Sequence, residues 1–325
     1  MQFEELLTLE PETLHDLNPY GVIFLFKYPT GASAEPKDKS RPLDGEFDYA
    51  ALDSAFSTTN NNNEEEEEKQ PLWFAAQTIQ NACGTQALLS ILLNQNPTSN
   101  DPSSENAQPF TLGPTLQDFK DFTTPLPAEY RGEALSNSSQ IRDVHNSFAR
   151  SSPFVSEESR SADSDDEIYH FVAYTTLNCT LYELDGLQPA PIRHGDEGAC
   201  PREIFAEAVV PVLQRRIERY PVTEIRFNLL AVCEDLRIRA REARDEGALA
   251  REERKRLEWR WENALRRHNF VGFIGEILKG VVSDQIHKGN YEKWIEDAKG
   301  VTKRRGEERR GVRGAMSGGE EMDIT

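Results

Sequence analysis

Cysteine is scarce in this 325-residue sequence, and Cys83, Cys179, Cys200 and Cys233 lie far apart with no CxxC among them. That spacing indicates neither a zinc site nor the disulfide framework of small secreted domains, so the thiols are expected to be reduced. Long apolar runs are lacking as well: no stretch approaches the roughly 20 residues of a membrane-spanning helix. Met1–Leu7 has neither the basic n-region nor the apolar core of a secretory leader. No membrane partner is expected, and cytoplasm and nucleus are the expected compartments. Basic charge is in the minority, with 37 Lys and Arg against 56 Asp and Glu, a net charge of -19. Such a surface repels phosphate, which argues against nucleic acid and favours partners with basic surfaces or tails. Hydrophobic residues make up only 37%, low for a fully compact chain, so polar insertions are expected.

The length suggests one catalytic-sized domain plus something smaller. Val22–Tyr28 is an aromatic and β-branched run bounded by Gly21 and Pro29, which reads as a buried strand. The run Asn60–Asn63 followed by Glu64–Glu68 buries nothing, and residues 57–70 are expected to be a disordered insertion. After Leu72–Gln77, Asn81 stands where an N-cap would open a helix carrying Ala87, Leu88, Ile91 and Leu92 on one stripe. Further helices are expected around Thr115–Phe122 and Ser139–Phe148. Residues 151–167 hold six serines and six acids and read as a second disordered loop. Phe171–Thr175 and Thr180–Leu184 read as a hairpin turning at Leu177 and Asn178. A helix over Pro201–Arg219 and a strand over Ile225–Val232 complete an α+β catalytic domain spanning 1–233. Beyond it the composition shifts to Arg, Glu and Ala. Residues 234–298 read as a helical extension, a long charged helix followed by a short amphipathic one from Phe270 to Val282. Residues 299–325 read as a disordered basic tail.

Chemistry points to Cys83. A thiolate attacks carbonyls, and forming one near neutral pH takes a helix N-terminus or a histidine. Cys83 has the first by position; most helical cysteines are merely small buried residues, so the context has to decide. Gln77 lies six residues upstream, where its amide and the Cys83 N–H would together receive an oxyanion. A hairpin symmetric about Leu177 and Asn178 sets His170 opposite Asp185, so that the carboxylate orients the imidazole and the other ring nitrogen is left for the thiol. The remaining histidines have no such partner, and His145 is the reserve candidate. No metal or cofactor is implied.

Gln77-Thr-Ile-Gln-Asn-Ala-Cys-Gly-Thr-Gln-Ala-Leu-Leu-Ser90, Leu135-Ser-Asn-Ser138, Val144-His-Asn-Ser-Phe-Ala149, Tyr169-His-Phe-Val172 and Leu181-Tyr-Glu-Leu-Asp-Gly186 resemble, in order, the blocks of the ubiquitin C-terminal hydrolases. Arg266–Leu278 is similar to the C-terminal extension of that family's proteasome-associated branch. The resemblance implies a papain-like fold with a central antiparallel sheet and flanking helices, and a crossover loop where residues 151–167 stand. It implies Cys83 as nucleophile, His170 as general base and then acid, Asp185 as orienter and Gln77 as oxyanion donor. It further implies a deubiquitinating thiol protease acting on ubiquitin and its conjugates, docked on the proteasome regulatory particle through its C-terminal helices. The family's usual N-terminal segment, with an early strand, precedes the point where this chain begins. A weakened sheet is the expected consequence, and a catalytically impaired ubiquitin-binding scaffold is the alternative reading. An acyltransferase with the same triad is a further one, which the resemblance disfavours.

Overall fold

The structure, a computed structural model, describes residues 1–28, 41–52, 70–79, 81–95, 111–148, 169–221, 224–268 and 270–317. Residues 57–69 of the insertion expected at 57–70, and all of 151–167, lie outside them. The chain divides into two compact units, the first reaching Ala264 and the second containing Leu265 onward. The first unit therefore extends past the boundary expected at 233.

Among the described residues, seven strands form one antiparallel sheet: β1 (Gln2–Leu6), β2 (Gly21–Lys27), β3 (Glu46–Phe47), β4 (Tyr169–Leu177), β5 (Thr180–Leu184), β6 (Ile192–His194) and β7 (Asn228–Cys233), in the order β1-β7-β2-β4-β5-β6-β3. β2 and β4 sit centrally and are buried on both faces, which is why Val22–Phe26 reads as a continuous apolar run instead of an alternating one. On one face Val22, Phe24, Phe26, Val172 and Tyr174 pack under α1 (Pro11–Leu17) and α6 (Phe205–Ile217). On the other, Ile23, Ala173 and Leu184 pack against Leu72, Phe74, Ala87 and Ile91, the last two from α2 (Cys83–Leu93). A further layer of Trp73, Ala75, Leu89, Leu93 and Leu135 lies beneath α3 (Gly113–Thr123), α4 (Ala128–Asn137) and α5 (Ser139–Ser147).

Four expectations need correction. Gln2–Leu6 pairs with β7 along its whole length, so the sheet carries an edge strand there. The side chain of Gln2 is buried and bonds across to Glu252 at 3.0 Å, and it accepts from Arg256 at 2.8 Å. The hairpin turns at Asn178–Cys179, one residue later than expected, because both adopt positive φ (49° and 55°), as a tight two-residue turn of matching twist requires. The charged helix breaks into α7 (Leu236–Glu242) and α8 (Glu246–Arg267). Arg244 takes a left-handed φ of 53° there, and Asp245 caps the restart, accepting from Ala248 N at 2.8 Å. Lastly, α9 (Val271–His287) is followed by α10 (Tyr291–Ser317), so the segment expected to be a disordered tail is helical as far as Ser317. Its Glu–Arg content favours helix over the breaking tendency of its glycines.

Candidate active site

Cys83 is the first residue of α2, and its N-cap is Ala82, not Asn81. No side chain caps this helix, and the Gly84 N–H of its first turn reaches the sulfur. Burial by itself raises the Cys83 thiol, but hydrogen bonds from His170, from the Phe171 N–H and from the Gly84 N–H outweigh it and bring it below the ordinary thiol range.

His170 lies on β4 directly opposite Phe26 of β2. Its ring meets the rings of Phe26 and Tyr28 edge-on at 5.8 and 5.6 Å between centroids, which fixes its plane. Nε2 is 2.7 Å from Asp185 Oδ1, and that leaves Nδ1 for the sulfur. Burial lowers the imidazole, yet Asp185 and Cys83 together raise it to about 9. A depressed thiol beside an elevated imidazole favours the thiolate–imidazolium form that a cysteine nucleophile uses.

Asp185 follows β5 immediately. The turn at 178–179 makes Leu184 pair with Ala173, so Asp185 stands diagonally across from His170 and not directly opposite. A slip of two positions preserves the face on which every side chain points, and the contact survives it; a slip of one would have destroyed it. Asp185 Oδ1 also accepts from Leu187 N at 3.0 Å, which turns the carboxylate toward the imidazole.

Gln77 precedes α2 in an extended segment, and its N–H donates to Gly186 O at 2.8 Å. The segment carrying the amide is thereby tied to the one carrying Asp185. Gly186 has no room for a side chain: a Cβ there would lie 2.1 Å from Gln86 Nε2, whose amide donates to Ala75 O. Arg131, fully buried on α4, holds the same extended segment from behind, donating to Leu72 O and Phe74 O (3.1 Å each), Thr123 O (3.2 Å) and Thr124 O (2.6 Å). Sequence reasoning did not single out Arg131, since its meaning lies in four carbonyls contributed by two separate segments. The reserve histidine, His145, hydrogen-bonds Thr85 Oγ1 at 2.8 Å.

Cysteine, histidine and aspartate, contributed by a helix N-terminus and adjoining strands of one antiparallel sheet, place the chain among the cysteine hydrolases with a papain-like constellation. Residues 1–218 match the family described as ubiquitin carboxyl-terminal hydrolase, family 1, and residues 245–285 match a second region described as ubiquitin carboxyl-terminal hydrolases. The chain belongs to this family of deubiquitinating thiol proteases. It is 44% identical over 306 residues to ubiquitin carboxyl-terminal hydrolase 2 of Schizosaccharomyces pombe, covering 92% of this chain and 89% of that one. It is 29% identical over 353 residues to ubiquitin carboxyl-terminal hydrolase isozyme L5 of Dictyostelium discoideum, again 92% and 89%. Among solved structures it resembles Trichinella spiralis UCH37 bound to ubiquitin vinyl methyl ester, with a TM-score of 0.52, 29% identity and coverage of 82% and 89%.

Proposed function

We propose that Cys83 attacks the carbonyl carbon of ubiquitin's C-terminal glycine in a conjugate, with His170, Asp185 and Gln77 as its catalytic partners. The single observation that carries this reading is the Cys83–His170–Asp185 chain, with its buried 2.7 Å imidazole–carboxylate contact and a thiol held low beside it. The Cys83 thiolate forms the C–S bond as the carbonyl becomes an oxyanion, which the Gln77 amide and the Cys83 N–H receive. The His170 imidazolium then gives its proton to the departing amine and the C–N bond breaks, leaving an acyl-thioester. Neutral His170 next takes a proton from water, which attacks the thioester and frees ubiquitin's carboxylate and the thiolate. Asp185 holds the ring orientation throughout.

The reading extends to partners and place. Ubiquitin and its conjugates are the substrates, an assignment supported by the ubiquitin-derived ligand on the Trichinella spiralis protein. Docking on the proteasome regulatory particle through the C-terminal helices is supported by α9, where Phe273, Ile274, Ile277, Leu278 and Ile286 stand exposed. Trp261 on α8 is exposed too, whereas Trp259 is half-buried beside Lys255 and Arg256. Action in cytoplasm and nucleus fits four unpaired thiols. The ground for an inactive scaffold was a missing edge strand, and Gln2–Leu6 supplies one. The deciding experiment is hydrolysis of a ubiquitin C-terminal fluorogenic amide by the full chain and by Cys83→Ala. Turnover that vanishes in the variant supports the assignment; a folded wild type without turnover overturns it.

A further inference from the structure

The triad rests against a second buried charge cluster. Glu183 lies two residues before Asp185 on β5, so the two carboxylates point to the same face of the sheet. Glu183 is 5% exposed, and three polar groups reach its carboxylate: Tyr174 OH donates at 3.0 Å, His194 Nε2 lies at 3.1 Å, and Arg216 Nη1 from α6 pairs with Oε1. Arg216 Nη1 also donates to Tyr174 OH at 3.0 Å. Its guanidinium carbon lies 4.4 Å over the Phe26 ring, and that same ring meets His170 edge-on. The Asp185 carboxylate is near enough to contribute to holding the guanidinium charged. Burial alone would raise the Glu183 carboxyl, but Arg216 and His194 hold it at about 2. A buried ion pair of this kind is seldom an efficient source of stability, since apolar residues of similar volume often do as well.

We propose that Arg216 and Glu183 are positioning residues for the reaction, a neutralised pair that locks the end of β5 carrying Asp185 and sets the charge felt by His170. This rests on the site reading given above. The groups facing the His170 ring are Cys83 from α2, Tyr28 and Phe26 from β2 and Asp185 after β5, with Arg216 of α6 stacked on the far side of Phe26. With the pair intact, the fields of the cation and the anion oppose one another at the imidazole. Removing one member leaves the other uncompensated in a low-dielectric interior, where its field reaches the ring.

The two single variants must therefore act in opposite directions, which a merely structural role would not produce. Glu183→Gln leaves the guanidinium alone and disfavours the imidazolium, so the alkaline limb of the kcat/KM–pH profile on a ubiquitin C-terminal amide moves down by about half a pH or more. Arg216→Met leaves the Glu183 carboxylate alone and moves that limb up. The double variant Glu183→Gln/Arg216→Met returns the limb toward the wild-type position, although kcat falls because the end of β5 is less firmly held. NMR titration of the His170 ring in a Cys83→Ala background reads the same displacements without turnover. If Arg216→Met does not fold, Glu183→Gln and the double variant carry the comparison by themselves. Limbs that stay in place, or that move the same way in both single variants, overturn the proposal. Residual turnover by Cys83→Ala alone would instead overturn the site reading, which keeps the two failures apart.

Discussion

At the scale of single residues the site works by balancing burial against partners. Burial opposes charge on both Cys83 and His170, and each nevertheless departs toward its charged form because the other, together with Asp185 and two backbone N–H groups, supplies more than desolvation removes. Hydrolysis is therefore expected to fall above about pH 9, as the imidazolium proposed to protonate the leaving amine is lost. Iodoacetamide labelling of Cys83 should accordingly persist to lower pH than that of an ordinary thiol, and labelling that follows an ordinary thiol titration would contradict the ion pair. Gln77→Ala removes the proposed oxyanion donor without touching the thiol. We expect kcat to fall by about 10²-fold with KM little changed, read from steady-state hydrolysis of a ubiquitin amide. Stability follows the sign of the depressed group: Glu183 contributes above its unfolded value of 4.5 and the contribution is lost as pH falls toward about 2. Glu183→Gln should flatten the loss of stability in that acid window, as followed by urea denaturation at a series of pH values.

At the scale of elements, the site is a meeting of two ends. The N-terminus of α2 presents the sulfur, and the start of β4 and end of β5 present the base and its orienter. The extended segment before α2 has no strand of its own to hold it, so Arg131 and Gly132 do so from α4. A Cβ at Gly132 would lie 2.0 Å from Ala76 O, which shows how closely the helix backbone approaches the segment leading to Gln77. Arg131→Met would take the guanidinium donor from Leu72 O, Phe74 O and Thr124 O, while Thr123 O would keep the Leu126 N–H. It is expected to lower stability by at least about 3 kcal/mol in urea titration, and to reduce kcat as the Gln77 amide loses its register. An unchanged midpoint would mean that water replaces the guanidinium there.

At the scale of the whole molecule, the first unit contains more of the C-terminal half than its composition suggests. Lys255 of α8 pairs with Glu4 at 2.9 Å and Arg256 with Asp235 at 2.7 Å, so the edge strand β1 and the charged helix support one another. Deletion of 265–325 should therefore leave ubiquitin-amide hydrolysis intact and abolish co-purification with proteasomes. Retained co-purification would place the docking surface elsewhere. Deletion from 234 would in addition uncover β1, and we expect a lower melting temperature for that shorter chain than for the one ending at 264.

Much of this was legible from residue order alone. Local signals reach Cys83 because nucleophile, helix start and upstream amide fall within seven residues, and they reach the His170–Asp185 pair because hairpin partners are close in sequence and a two-residue slip preserves facing. The sequence by itself determined the α+β class, the central strands and the family, and it pointed to candidate site residues of which Cys83, His170 and Asp185 meet in the fold. What the tertiary structure decided is everything that depends on distant partners. The edge strand at Gln2–Leu6 needed β7 and α8, more than 220 residues away, to be recognised as a strand. The turn moved to Asn178–Cys179 through backbone twist, which side-chain pattern does not encode. The roles of Arg131 and Arg216 arose only where folding surrounded each with acceptors from other segments, because a buried charge takes its meaning from the groups that desolvate and pair it.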